Sequence, residues 1–568
     1  MSKSLLSLLF VLVFYSQIVS AQKIFKHIET VSGFGDLAEN NGVSVADFDG
    51  DFDLDILVVS IWKDEIGKDK THSKLYRNNN DGTFTDVTEG SGLENLLEFS
   101  ELDASYNNFL GLKGFKFGAY WGDYNNDGFP DIFFTHLTKV QLFKNLGNGT
   151  FKDVTNEAGI LGKNNCNNTG AVWFDYNKDS FLDLYIVDWK GCKSNTLYKN
   201  NGNGTFVNVT QSVSINSAIG LPGYNPFPFD FNKDGWMDLY LTNDFREPNQ
   251  LFINNNGTSF TERANFFKAD MRFNDMGIAI SDYNKDGYFD FFISTIANNS
   301  LLTGKSDGTF DENASQMLVK RTGWSWGTKF GDFDLDGDED LIVVNGFQNA
   351  IVDEEVNFYF ENKFNNGISS FSNTNDQGLG ELSVSVEVVD FDFDHDGDLD
   401  VFISNSQHNS YFYENTIINT FGSQNNNWFQ LSLQGTISNR DAIGTKITVQ
   451  TDKDKLIRFY TGVGFLGQNL KPVHFGLADA TTILELKIEW PSGHVDVYKD
   501  LEINTFAKAI ENSSYQKLAI SPATKRVGCT DPNSCNFNPN ATVSDGSCTY
   551  AQVSEIITGP LKVSYFSI

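Results

Sequence analysis

Seven short stretches of this chain follow one pattern, D-x-[DN]-x-D-x-x-x-D, each set between two apolar runs. They begin at Asp47 (DFDGDFDLD), Asp123 (DYNNDGFPD), Asp175 (DYNKDSFLD), Asp230 (DFNKDGWMD), Asp282 (DYNKDGYFD), Asp332 (DFDLDGDED) and Asp392 (DFDHDGDLD). If such a loop wraps around one ion, the side-chain oxygens at positions one, three, five and nine converge on it, and the backbone carbonyl of position seven adds another donor. Hard oxygen ligands in a flexible loop suit Ca²⁺, which takes six to eight of them; Mg²⁺ is the second choice, since it prefers a tighter octahedron and keeps its waters. No His or Cys occupies a ligand position in any copy, which argues against zinc and copper.

The expected ligands of the first loop are Asp47, Asp49, Asp51 and Asp55, and those of the second are Asp123, Asn125, Asp127 and Asp131. The third offers Asp175, Asn177, Asp179 and Asp183; the fourth Asp230, Asn232, Asp234 and Asp238; the fifth Asp282, Asn284, Asp286 and Asp290. The sixth has Asp332, Asp334, Asp336 and Asp340, and the seventh Asp392, Asp394, Asp396 and Asp400. Position six, where the chain must turn sharply, is Gly in five copies but Phe52 in the first and Ser180 in the third, so these two loops are expected to be distorted or weaker. An EF-hand would need Glu at position twelve and flanking helices; here position twelve is apolar (Val58, Phe134, Val343) and a β run follows.

The formal charge is −32 and the isoelectric point near 4.5. Such a surface repels nucleic acid and anionic membranes, which bind through clustered Lys and Arg. Seven divalent ions added to −32 would leave −18, so the acidity is in part a calcium signature. Aromatic residues make up 14% of the chain, with 51 Phe, which a disordered acidic chain would not have.

What positions these loops is a repeat. Successive loops start 50 to 60 residues apart, except for 76 between the first two, where 93–114 reads as an insertion. A unit of this length matches one four-stranded propeller blade. A second element is in phase with the loops: LYRNNNDGTFTDVT at Leu75, LFKNLGNGTFKDVT at Leu142, LYKNNGNGTFVNVT at Leu197, and weaker copies at Leu251 and Leu301. Two β runs joined by Asn/Gly turns make an outer hairpin. After the last loop only half a hairpin is present, Tyr411 to Asn415, while Phe25 to Thr30 resembles the missing half. The N-terminal strand is therefore expected to complete the last blade and close the ring, which removes exposed sheet edges; an open solenoid is the alternative. The fold class is all-β: a seven-bladed β-propeller with calcium-binding loops, followed by a small β domain.

Lys116-Phe117-Gly118 ahead of GDYNNDGFPDIFF, and Phe330-Gly331 with DFDLDGDEDLIVV, resemble FG-GAP/VCBS repeats, the calcium-binding propeller blades of integrin α chains and of many bacterial exported proteins. Further on, Asn427-Trp428-Phe429, Ser438 to Gly444, Gly462 to Gln468, His474 to Leu477 and Trp490 to Gly493 resemble, in that order, the ASPIC/UnbV domain that follows such repeats in the cartilage acidic protein family. The resemblance implies an extracellular calcium-binding protein without fixing an activity. The segment 528–550 resembles a short Cys-containing module of exported bacterial proteins, and Cys529 with Cys548 is the disulfide expected within it.

The resulting map is an export signal at 1–21, the propeller at 22–420, the ASPIC/UnbV-like domain at 427–511, the Cys-containing module at 528–550 and, at 551–568, a tail or the truncated start of a further domain. Lys3, the apolar run from Leu5 to Tyr15 and the small residues before Ala21 suit a cleaved signal, the run being short for a membrane anchor. Export permits disulfides. Cys166 and Cys192 flank the third loop and are placed to pair, and the odd count of five leaves one thiol over. Two catalytic-looking motifs fail their context: Gly323-Trp324-Ser325-Trp326-Gly327 lies where an inner strand belongs rather than at a strand-to-helix turn, and no βαβ unit surrounds Gly462-Val463-Gly464-Phe465-Leu466-Gly467. His395, at loop position four, is expected to point outward. No catalytic constellation emerges. The function expected is a secreted, cell-surface or periplasmic binding or cell-adhesion module for protein or glycan; the alternatives are a propeller enzyme acting on extracellular polysaccharide from its central channel, and a purely structural envelope protein.

Overall fold

The computed structural model describes residues 23–28, 32–34, 40–60, 73–96, 116–136, 139–160, 166–189, 195–215, 221–347, 354–364, 370–406, 408–418, 427–524 and most of 527–549. The signal-sequence and tail calls, most of the 93–114 insertion and Cys192 lie outside the described residues.

Seven sheets form the blades of a β-propeller, each with four antiparallel strands, the second extended by a short parallel strand from the second domain. The inner strands are Asn40–Ala46, Lys116–Gly122, Asn168–Phe174, Gly223–Phe229, Asp275–Ser281, Ser325–Gly331 and Ser385–Phe391. Each packs against the next, and the first also packs against the last, so the ring is closed. Closure is made by strand pairing as expected: Phe25, Lys26 and His27 pair with Asn415, Glu414 and Tyr413, making the N-terminal strand the outermost of blade seven. The second strand of every blade is buried along all six of its residues, whereas in blades one to five the outer strand buries its Phe and exposes the next two side chains. The G-T-F turn thus anchors a solvent-facing rim on Phe84, Phe151, Phe206 and Phe310. The inner strand is a sheet edge facing the ring axis, which is why Pro226 and Pro228 are tolerated in blade four.

An asparagine stitches every blade but the fifth to its predecessor. The third strand ends in Asn78, Asn145, Asn200, Asn254 or Asn415, and in blade six Asn362 directly follows it. Each donates its backbone N–H to the position-nine Asp of its own blade. Each also donates its side-chain Nδ2 to the position-two carbonyl of the preceding loop, at 2.8 to 2.9 Å. Blade five has Gly304 instead, because a Cβ there would lie 2.4 Å from the Phe289 carbonyl oxygen.

The second domain is a sandwich of two four-stranded sheets. One is ordered Val473–Ala478, Asn427–Gln434, Thr505–Ile510, Ser514–Lys517; the other Lys455–Tyr460, Thr445–Thr451, Ile483–Glu489, Val495–Leu501. Its core includes Phe429, Ile447, Phe475, Leu486 and Trp490. Glu511, fully buried, ties its loops together by accepting from the N–H groups of Thr436, Ile437 and Ser438 and the hydroxyls of Ser438 and Ser492.

Residues 461–471 of this domain run into the propeller axis and reach the inner strand of every blade. Asn469 Oδ1 accepts from Val45 N–H, and Leu470 N–H donates to Val45 O, both at 2.9 Å. Gly467 and Gln468 pair in parallel with Ala119 and Tyr120. The Gln468 amide bonds both the N–H (2.8 Å) and the carbonyl (3.1 Å) of Trp173. Asn225 Nδ2 donates to Gly464 O, Gly277 faces Phe465, and Lys329 Nζ donates to Val463 O at 2.9 Å. Glu387, pushed up to about 7 by burial, accepts from Leu466 N–H. The G-x-G-x-x-G motif is therefore the plug of the ring, and Gly323–Gly327 leads into an inner strand as its position implied.

Asn200→Ala leaves the Tyr124 carbonyl without its donor while the Asp183–Asn200 backbone bond persists. It should lower unfolding free energy by about 1–3 kcal/mol in a denaturant titration, with the slope unchanged; a neutral result would show that the inter-blade bond contributes nothing net.

Candidate metal centres

Each Asp loop begins directly after an inner strand, and its ninth residue opens the next strand. Two residues per loop adopt left-handed backbone. Position four is Gly50, Asn126, Lys178, Lys233, Lys285, Leu335 and His395; position six is Phe52, Gly128, Ser180, Gly235, Gly287, Gly337 and Gly397; all have positive φ. Phe52 (φ 74°) and Ser180 (φ 73°) thus take the conformation that glycine takes in the other five. The expected distortion of these two loops is not seen; they carry the cost as strain, about 1–2 kcal/mol for a residue with a Cβ.

The first carboxylate is the hub. Asp47, Asp123, Asp175, Asp230 and Asp282 accept from the N–H groups of positions five and six, and Asp332 and Asp392 from position six. Asp51, Asp127, Asp179, Asp234, Asp286, Asp336 and Asp396 each accept from the N–H of position seven. Position nine (Asp55, Asp131, Asp183, Asp238, Asp290, Asp340 and Asp400) faces the opposite way as well, taking the third-strand amide. In the first, sixth and seventh loops, oxygens of Asp47, Asp49 and Asp55, of Asp332, Asp334 and Asp336, and of Asp392, Asp394 and Asp400 lie within 4.8 Å of one another. In the other four loops the third residue is Asn125, Asn177, Asn232 or Asn284. Asn125 Nδ2 donates to Asp131, Asn232 Nδ2 to Asp234 and Asn284 Nδ2 to Asp286; a half-turn of the amide would present its oxygen instead.

These groups fit a hard cation. Asp49 Oδ1, Asp290 Oδ2, Asp332 Oδ1 and Asp392 Oδ1 are buried with no hydrogen-bond donor. Burial, reinforced by neighbouring carboxylates, pushes Asp47, Asp123, Asp175 and Asp282 up to about 6, Asp334 and Asp392 to about 7, and Asp238 to about 8. Asp55, Asp131, Asp183, Asp290, Asp332, Asp340 and Asp400 are driven well above the ordinary carboxylate range for the same reason. A divalent ion in such a loop would supply the counter-charge that burial withholds.

Residues 123–186, 175–241, 230–293 and 282–343 match the FG-GAP-like repeat family, and 435–515 matches the family described as ASPIC and UnbV. The chain is an FG-GAP propeller with an ASPIC/UnbV domain. It is 28% identical to Cartilage acidic protein 1 of Xenopus tropicalis over 163 residues, 27% of this chain and 25% of that protein, so it spans about a quarter of that relative's length. Similar solved structures include an Agrocybe aegerita lectin described as recognising non-reducing terminal N-acetylglucosamine (15% identity, TM-score 0.35, 65% of this chain and 87% of that one). Others are BBS1N in complex with ARL6DN (9%, 0.38, 69% and 98%) and the Dos1 propeller (11%, 0.34, 69% and 94%). FG-GAP repeats often bind calcium, and the acidic clusters here are of the kind that hold ions.

The FG-GAP loops also differ where sequence reasoning looked only for a carbonyl. Position seven is Asp53, Asp338 and Asp398 in loops one, six and seven, which are consecutive around the closed ring and are the three with clustered carboxylates. In loops two to five it is Phe129, Phe181, Trp236 and Tyr288. Position four reaches the next blade: Asn126 Nδ2 donates to Ser180 O, Lys178 sits 4.8 Å from the Trp236 ring centroid and Lys233 4.4 Å from that of Tyr288. His395 does not point outward. It is buried, with Nε2 2.7 Å from Asp53 Oδ1 of the next loop, because the ring's curvature brings position four against its neighbour.

The ASPIC/UnbV domain lies over this face. Gln430 Nε2 donates to Asp392 Oδ2 at 2.6 Å, Asp441 Oδ2 accepts from Asp123 N–H at 2.7 Å, and Arg440 Nε is 3.4 Å from Asp123 Oδ2. No local sequence signal marks these residues, since they belong to another domain.

Two outcomes follow. In metal-free protein the raised carboxyls hold protons more tightly folded than unfolded, so they contribute stability at low pH that is lost as pH rises through about 6 to 8. The melting-temperature gain from calcium over chelator should therefore be larger at about pH 8 than at about pH 5; a gain that shrinks with pH contradicts the charge account. Phe52→Gly relieves a left-handed residue whose side chain is 46% exposed. It should raise stability by about 1 kcal/mol in calcium, read from the shift in denaturation midpoint.

Proposed function

We propose that this protein is an exported, calcium-loaded binding or adhesion module for extracellular protein or glycan, with calcium held in as many as seven Asp loops. The observation that carries the calcium reading is the set of buried, donor-less oxygens on Asp49, Asp290, Asp332 and Asp392, each inside a loop of oxygen ligands. An FG-GAP propeller joined to an ASPIC/UnbV domain supports the binding-module reading. Residues 461–471 fill the axis where a channel enzyme would keep its substrate, which weighs against the polysaccharide-processing alternative. Export is supported by the Cys529–Cys548 disulfide and by Cys166, also disulfide-bonded; Cys535 is a free thiol among the described residues. No helix among the described residues is long and apolar enough to cross a membrane. The formal charge of −32 disfavours nucleic acid as a partner.

Ions that bind only the folded loops stabilise by mass action. Calorimetry should find calcium binding approaching seven ions per chain, and chelator should lower the melting temperature by ten degrees or more, which in a chain of this size is roughly the effect of losing 8–12 kcal/mol, or a little over 1 kcal/mol per ion. A melt unmoved by chelator would end the structural-calcium reading. Glycan-array and pull-down capture with and without calcium tests the binding reading; no calcium-dependent partner on either counts against it.

A further inference from the structure

The chain is strongly acidic, yet one cleft gathers amines. It lies between blades four and five and the second domain, and has a volume of about 390 Å³, within the range of small-ligand sites. Lys178 and Lys233 enter from position four of the third and fourth loops, Lys305 from the blade-five hairpin, and Lys446 from the second domain. Lys305 pairs with Asp311 at 3.0 Å; among the described residues Lys178, Lys233 and Lys446 have no carboxylate within ion-pair distance. They rest on rings instead, Lys178 on Trp236, Lys233 on Tyr288 and Lys446 at 6.0 Å from the Phe289 centroid. The acidic groups at the cleft are engaged elsewhere: Glu489 lies 3.0 Å from Lys487, and Asp230 accepts two loop N–H groups. Burial, with Lys233, Lys487 and Lys455 nearby, holds the Lys446 amine below its ordinary value despite Glu489.

The remaining wall is aromatic. Phe459 of the second domain packs 4.7 Å from Phe229 and 5.9 Å from Phe289, so the two domains build the floor together. Gly287 and Gly493 leave open space on the rim. Unneutralised amines beside ring faces, in a space of this size, suit a ligand with a flat C–H face and an anionic substituent. Lysine holds carboxylate or sulfate as a point charge, without the fork geometry of arginine. A long polyanion is disfavoured, since the surrounding surface repels it.

We propose that this cleft binds a carboxylated or sulfated saccharide of one or two rings, its anionic group held by Lys233 and Lys446 and its sugar face set against the aromatic floor that the two domains build around Phe459. This rests on the binding-module reading and names its ligand class and site.

The test is calorimetric titration of the full chain in calcium buffer with four probes: a glucuronate disaccharide, a sulfated galactose disaccharide, neutral cellobiose and a tetra-glutamate peptide. The expected result is binding of at least one anionic disaccharide with Kd below about 1 mM. It should weaken at least about tenfold in a Lys233→Glu/Lys446→Glu chain and as salt is raised, with cellobiose silent. A Lys233→Gln chain with an unchanged melting temperature serves if the charge-reversed chain does not fold, and it should weaken binding in the same direction. The proposal is overturned if neither anionic disaccharide binds, if cellobiose binds equally, if the acidic peptide is preferred, or if the lysine variants bind as the parent does. A chain captured in calcium-dependent assays that fails these titrations keeps the binding-module reading and loses the cleft; a chain that binds nothing in either loses both.

Discussion

The carboxylate at position nine carries two duties that pull against each other. Asp55 and its six counterparts sit at the start of a buried strand, where they order the loop and fix the third strand through its backbone N–H. They also stand among other carboxylates in a place that water does not reach, so their charge needs a partner. The asparagine that binds the carboxylate continues to the preceding blade, as Asn200 does to Tyr124. Charge neutralisation, strand order and blade-to-blade cohesion therefore meet at one residue in every repeat but the fifth, where Gly304 gives no side chain.

The second domain extends this arrangement. Seven inner strands present unpaired edges to the axis, and a polar edge without partners is costly. Gln468 and Asn469 act there as side-chain substitutes for a neighbouring strand, while Lys329 and Glu387 grip the plug backbone by charge. On the loop-bearing face, Gln430, Arg440 and Asp441 touch the first aspartates of loops seven and two. The propeller and its companion thus share one polar network.

Much of the ring was legible because repetition is local. The nine-residue spacing, the G-T-F turn and the half-hairpin at Tyr411 each mark a strand boundary, and together they gave seven blades and the Phe25–His27 closure. The rest depends on what faces what across the chain. Left-handed backbone at Phe52 and Ser180 is imposed by amides converging on Asp47 and Asp175, a constraint that residue preference does not announce. His395 was misjudged because a single loop, read alone, has no neighbour to bury it. The plug looked like a misplaced nucleotide motif: Gly467 permits close approach, but to Val43 and Ala119, more than three hundred residues away.

The Phe25–His27 strand has a temporal consequence. It is among the first segments of the ring to leave the ribosome, and its partner Tyr411–Asn415 comes nearly four hundred residues later. The plug at 461–471 emerges later still. Contacts of such long sequence separation pay their loop-closure entropy before they return anything, so ring closure and locking are late steps. A chain that crosses a membrane unfolded would complete the ring only on the far side, where the whole sequence and the ions for its loops are present together.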